Sequence, residues 1–185
     1  LGDQVMRQIR VDPDYLDDPL LVEYILNTWT PLVKAAQTLG NISDETQDRF
    51  AWEIFLVRDK SVNAFALPGG FVGVHLGLIA MTGARDELAS VLGHELSHVT
   101  QRHIARSIVG DAKTSLLATA GLLVGILAAA KTRSPDMANA AIVGSQAAAA
   151  QAQLNFSRDM EREADRVGFQ VMTQAGYANT GMASM

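Results

Sequence analysis

Residues 94–98 read His-Glu-Leu-Ser-His, and these five positions carry the clearest chemistry in the chain. On a helix, at about 100° per residue, positions four apart differ by only about 40° in azimuth. His94 and His98 would then project from one face, one turn apart. Two imidazoles so spaced can grip a single Zn²⁺ at about 2.0–2.1 Å. Glu95 is adjacent in sequence but rotated away from that pair. It suits a general base acting on a zinc-activated water better than a further ligand. Leu88, Val91, Leu92, Leu96 and Val99 form the apolar stripe that would anchor such a helix.

A third ligand must come from elsewhere. His103 lies nearby, but on a continued helix it would point about 160° away from the bisector of His94 and His98. The metzincin spacing also fails, because Gln101 and Ile104 stand where Gly and His would be needed. His103 therefore reads as a solvated helix-end residue, and His75 as a structural histidine closing a strand. Residues 157–168 offer carboxylates instead: Ser-Arg-Asp-Met-Glu-Arg-Glu-Ala-Asp-Arg-Val-Gly. Glu161 and Asp165 share a helix face, four residues apart. One could ligate while the other accepts the N–H of a ligating imidazole. Like charges at that spacing are unhelpful to an isolated helix, a cost easier to explain if a cation separates them. Spacing alone leaves Glu163 and Asp159 as rivals. Gly168 lies on the same face and permits the close approach of another backbone.

These residues need elements to position them. The pattern predicts an α+β, mainly helical chain, read as a single domain over 1–185. Asp18-Pro19 marks the start of a helix over 18–40, with Pro31 expected to kink or split it. Residues 1–17 read as polar and extended. The aromatic and β-branched stretches between 50 and 75, with a turn at Pro68-Gly69-Gly70, predict a small antiparallel β-meander. The motif helix is expected over 86–106, and the helix carrying Glu161 over 157–176, closed by Gly176. Between them, Thr114 to Ala130 and Met137 to Ser157 contain no charged residue. They predict an uncharged helical hairpin insert over 114–156. The first run falls short of the roughly 20 residues a membrane span needs. The second carries Asn139, Gln146, Gln151 and Asn155, too polar for lipid.

Composition narrows the chemistry further. The chain has 185 residues, 48% hydrophobic and 19% charged, which excludes a disordered polyelectrolyte. Its formal charge of −5 disfavours nucleic acid as a partner. It has no cysteine, so thiol catalysis, disulfide scaffolds and Cys-based metal sites are excluded, and any metal must be held by nitrogen and oxygen. The chain opens on Leu1 with no targeting signal in view, and its last residues read as a turn and the start of another helix. The natural chain is therefore expected to continue beyond 185.

HELSH at 94–98, EREAD at 161–165 and NAFALPGG at 63–70 together resemble the HtpX and CAAX prenyl protease type I family of zinc metalloendopeptidases, which are gluzincins. The resemblance spans roughly 45–180. It is nearest to the soluble periplasmic branch of β-barrel assembly-enhancing proteases. It implies a zincin-like core and one Zn²⁺ per chain, held by His94, His98 and Glu161. Glu95 would be the catalytic base, and Asp165 would orient a ligating His. Asn63, Ala64 and Phe65 would form a substrate-binding strand edge that pairs with peptide backbone. In the family a further zinc-facing or oxyanion-stabilising group usually comes from after the Glu helix; the residues up to Met185 do not identify it, and Tyr177 is only a minor candidate. The implied setting is protein quality control in the bacterial periplasm or membrane-associated envelope. The substrates would be misfolded envelope polypeptides, with a membrane-surface or outer-membrane assembly partner. A different class competes: a zinc-bearing chaperone or binding module with a plugged or latent site. A membrane-embedded protease is a further alternative.

Overall fold

A computed structural model describes residues 2–110 and 135–178. The expectation for 114–134 thus lies outside the described residues. The chain divides into two compact units, Leu1–Ile104 with Arg162–Met185, and Ala105–Glu161.

In the first unit, α1 (Gly2–Ile9) opens the chain and β1 (Tyr15–Leu16) follows, so the expected extended segment is instead a short helix and a strand. α1 forms because Met6 packs into one buried cluster with Phe55 and Phe71, a burial that the polar composition of the segment hides. α2 (Pro19–Thr38) starts where Asp18 accepts the backbone N–H groups of Leu20 and Leu21. It is not split at Pro31. Ile25, Trp29, Leu32 and Ala36 bury one continuous stripe on both sides of that residue, and this packing outweighs the lost hydrogen bond. Gly40, at φ 74°, closes the helix as the Asn41 N–H returns to the Ala36 carbonyl.

After α3 (Asp44–Arg49) come β2 (Glu53–Val57), β3 (Ala64–Leu67) and β4 (Phe71–His75). The sheet order is β1-β2-β4-β3. β1 pairs antiparallel with β2, and β3 antiparallel with β4, but β2 and β4 run parallel. The sheet is therefore mixed, not the expected antiparallel meander. Burial explains the order. Phe71 to Val74 are all buried, whereas every residue of β3 is half-buried. The more buried strand takes the central slot and β3 becomes an edge. The β3–β4 hairpin turns through Gly69 and Gly70, both in left-handed conformation. Gly73 lets Phe65 lie across the sheet, since a Cβ there would sit 2.4 Å from the Phe65 ring.

α4 (Leu76–Met81) leads to α5 (Arg85–Thr100). Glu87 accepts the N–H groups of Gly83 and Ala84, satisfying two donors that the helix leaves open at this end. The helix expected over 86–106 ends early. Arg102 adopts φ 57°, and a new helix, α6, begins at residue 103 and is described to 110. The last described helix, α7 (Pro135–Gln174), is far longer than the expected 157–176. Ser157 lies within it rather than capping it. Gly176, at φ 87°, terminates it as the Tyr177 N–H donates to the Met172 carbonyl.

The main core gathers Trp29 and Leu32 of α2, Leu56 and Val74 of the sheet, Leu88, Leu92 and Leu96 of α5, and Val171 and Met172 of α7. It clamps α5 from several sides. In the second unit, the Phe156 ring lies 3.1 Å from where a Cβ on Gly110 would stand, and the Ser107 hydroxyl donates to Met160 Sδ at 3.7 Å.

Candidate metal centre

α5 presents His94 and His98 one turn apart, as the spacing requires. Their Nε2 atoms are 3.0 Å apart and their ring centroids 4.7 Å apart. Two imidazole nitrogens on one tetrahedral metal, each about 2.0–2.1 Å from it, stand about 3.3–3.4 Å from one another. The observed separation lies a few tenths of an ångström from that figure.

Asp165 of α7 closes the other side of His94. The His94 Nδ1–H donates to Asp165 Oδ1 at 2.8 Å. An ionised carboxylate is only an acceptor, so His94 donates from Nδ1, and its Nε2 faces His98 Nε2. Glu161, where α7 passes from the second unit to the first, stands one turn before Asp165 on that helix. One ligand atom each from His94, His98 and Glu161 fit within 4.8 Å of one another. Two nitrogens and an oxygen, with no thiolate, suit a borderline divalent metal. Glu95 is half-buried on α5, next to His94 in sequence.

Two glycines bring Asp165 to His94. A Cβ on Gly168 would lie 3.0 Å from both the Gly93 carbonyl carbon and the His94 nitrogen. One on Gly93 would lie 3.2 Å from the Gly168 carbonyl oxygen. The helix backbones cross here with almost no side chain between them. Ser97, fully buried behind the motif, donates its hydroxyl to the Gly93 carbonyl at 2.7 Å.

His103 departs from its expected place. It is only 2% exposed, not solvated. The left-handed turn at Arg102 breaks the helical phase and swings His103 back toward the motif. Its Nδ1 lies 2.9 Å from His98 Nδ1, and its Nε2 lies 3.1 Å from Glu163 Oε2. Sequence reasoning missed both of these partners. The break has no Gly, Pro or Asn to announce it, so a 3.6-residue period carried His103 to the wrong face.

The remaining candidates fall elsewhere. Asn63 precedes β3, and its carbonyl accepts the His75 N–H at 3.0 Å. Ala64 and Phe65 open the edge strand itself, which packs beside α5. His75 lies edge-on to Phe65 and pairs with the Ser61 hydroxyl at 2.7 Å. Asp59 nearby accepts the Ser61 N–H, which holds its carboxyl below the ordinary range. Tyr177 packs against the main core, and burial pushes its hydroxyl above its usual pKa.

The family model described as Peptidase family M48 matches residues 32–185. The chain belongs to peptidase family M48. It is 37% identical over 179 residues to the "Beta-barrel assembly-enhancing protease" of Yersinia pestis, covering 96% of this chain and 34% of the relative. It is 36% identical over 177 residues to the protein of the same name in Escherichia coli (strain K12), again covering 96% and 34%. It is also 38% identical over 130 residues to the "Mitochondrial metalloendopeptidase OMA1" of Schizosaccharomyces pombe (strain 972 / ATCC 24843), covering 68% of this chain and 34% of the relative. This M48 chain therefore spans about a third of the length of the curated relatives it matches. Among the described residues no helix is long and apolar enough to cross a membrane.

Proposed function

We propose that this chain is the peptidase domain of a zinc-dependent metalloendopeptidase, with His94, His98 and Glu161 as the metal ligands and Glu95 as the general base. The reading rests above all on the convergence of the two Nε2 atoms at 3.0 Å, with the far nitrogen of His94 held by Asp165. Such an arrangement gives two lone pairs one destination. A zinc ion bound there would supply Lewis-acid polarisation of the scissile carbonyl and of the attacking water.

The chain's own residues perform the other tasks. Asp165 keeps His94 in its ligating tautomer. Glu95 accepts a proton from the water as its oxygen bonds to the peptide carbon, then delivers that proton to the departing amine nitrogen as the C–N bond breaks. Asn63, Ala64 and Phe65 mark the substrate side, where β3, the outermost strand among the described residues, offers backbone groups to an extended peptide. The relatives' name, which speaks of β-barrel assembly, supports substrates and partners in that process; the periplasmic or envelope setting and an outer-membrane partner are our extension from the sequence resemblance.

Glu95→Gln tests the reading. It preserves shape and removes the base. We expect digestion of unfolded casein by the wild-type chain to stop on chelation and return with zinc. Digestion by Glu95→Gln should fall at least about 100-fold. Casein cleavage retained by Glu95→Gln would overturn the assignment of the base. Zinc binding without cleavage by the wild type would favour a binding module with a latent site.

A further inference from the structure

We propose that His103, backed by Glu163, is a positioning residue for the metal site. It would hold His98 in the tautomer and ring orientation that present Nε2 to a metal; this rests on the metalloprotease reading above. The distances assign the protons by elimination. Glu163 Oε2, 3.1 Å from His103 Nε2, is an acceptor when ionised, so the His103 proton sits on Nε2. The neutral ring then has an acceptor at Nδ1. That atom lies 2.9 Å from His98 Nδ1, which must donate. His98 Nε2 would then carry the lone pair and face His94 Nε2 at 3.0 Å, an approach that a cation between the two would stabilise.

The two ligands are thus oriented by parallel devices of different length. His94 reaches its carboxylate, Asp165, directly. His98 reaches Glu163 through an intervening imidazole. If either link reversed, the His98 proton would move to Nε2 and block ligation. Burial sharpens this requirement. His103 is 2% exposed, so water cannot readily replace a lost partner. The rings of His98 and His103 stand edge-on, 4.8 Å between centroids and 80° between planes, which directs nitrogen at nitrogen rather than ring at ring.

The test compares two substitutions by zinc competition against a chromophoric chelator. His103→Phe keeps the ring and removes both nitrogens. His103→Asn places an amide oxygen near the position of Nδ1 and restores the acceptor. His103→Phe should weaken zinc binding about 10- to 100-fold, and His103→Asn should recover most of that loss. The Co²⁺-substituted Phe variant should also show an altered visible spectrum. Equal zinc affinity in Phe and wild type, or equal loss in Phe and Asn, would overturn the proposal. A wild type that binds no zinc would overturn the metalloprotease reading and this one with it. If His103→Phe does not fold, ¹⁵N imidazole shifts of the zinc-loaded wild type decide. Protonation of His103 at Nε2 and of His98 at Nδ1 supports the relay, and a His103 proton on Nδ1 overturns it.

Discussion

Gly168→Ala is the smallest change that should separate the helix crossing from the chemistry it serves. The new methyl would meet the Gly93 carbonyl carbon and the His94 nitrogen at 3.0 Å, and the Gly93 oxygen at 3.1 Å. Carbon atoms in contact normally stand about 3.5–4.0 Å apart. The obstacle is helix backbone, so no flexible side chain can yield. α5 and α7 must separate by several tenths of an ångström. Overpacking of this kind costs about 1–3 kcal/mol. The better helix propensity of Ala returns about 0.8–1.0 kcal/mol. The net loss of stability is thus about 0–2 kcal/mol, a fall in Tm of at most about 8 °C for a chain of this size. The effect on the site should be larger, because the separation acts directly on the 2.8 Å bond from His94 to Asp165 and on Glu161 one turn away. Zinc affinity should drop at least about tenfold. Thermal melts and chelator competition on the same preparation measure both. A variant that gains the full propensity increment and binds zinc like the wild type would refute the claim that this crossing sets the site.

Other outcomes follow from the same geometry. Asp165→Asn keeps the shape but removes the charge that fixes the His94 proton on Nδ1; zinc affinity should fall about 10- to 100-fold with little change in Tm, because the Asp165 side chain is 61% exposed. Chelator competition and a thermal melt check both. Gly73→Ala would drive a methyl to 2.4 Å from the Phe65 ring tip and should displace the edge strand. We expect a loss of about 1–3 kcal/mol by denaturant titration, with zinc affinity unchanged because the strand supplies no metal ligand.

Much of the arrangement could be read from local rules. The helix start at Asp18-Pro19, the glycine hairpin at Gly69-Gly70 and the close approach at Gly168 each depend on one or two residues with a fixed conformational habit. The facing histidines needed only the helical period. The rest depended on longer-range choices. Strand order turned on which strand is most buried, so β4 displaced β3 from the neighbourhood of β2 although β3 comes first in sequence. α1 depended on Met6 finding Phe55 and Phe71, a contact across some fifty residues that no local pattern encodes. Most consequential was Arg102, which takes a left-handed conformation that its type does not favour. That single turn moved His103 from an expected solvated end into contact with His98. The third ligand was open among several acids by spacing. Family resemblance, not periodicity, singled out Glu161.

His94, His98 and Glu161 are proposed to hold one zinc ion together. Elemental analysis of the purified chain and of Glu161→Ala, each dialysed against a weak chelator, tests it most directly. We expect about one zinc per wild-type chain and a large loss in Glu161→Ala. Undiminished zinc in Glu161→Ala would contradict it and move the third ligand to another residue.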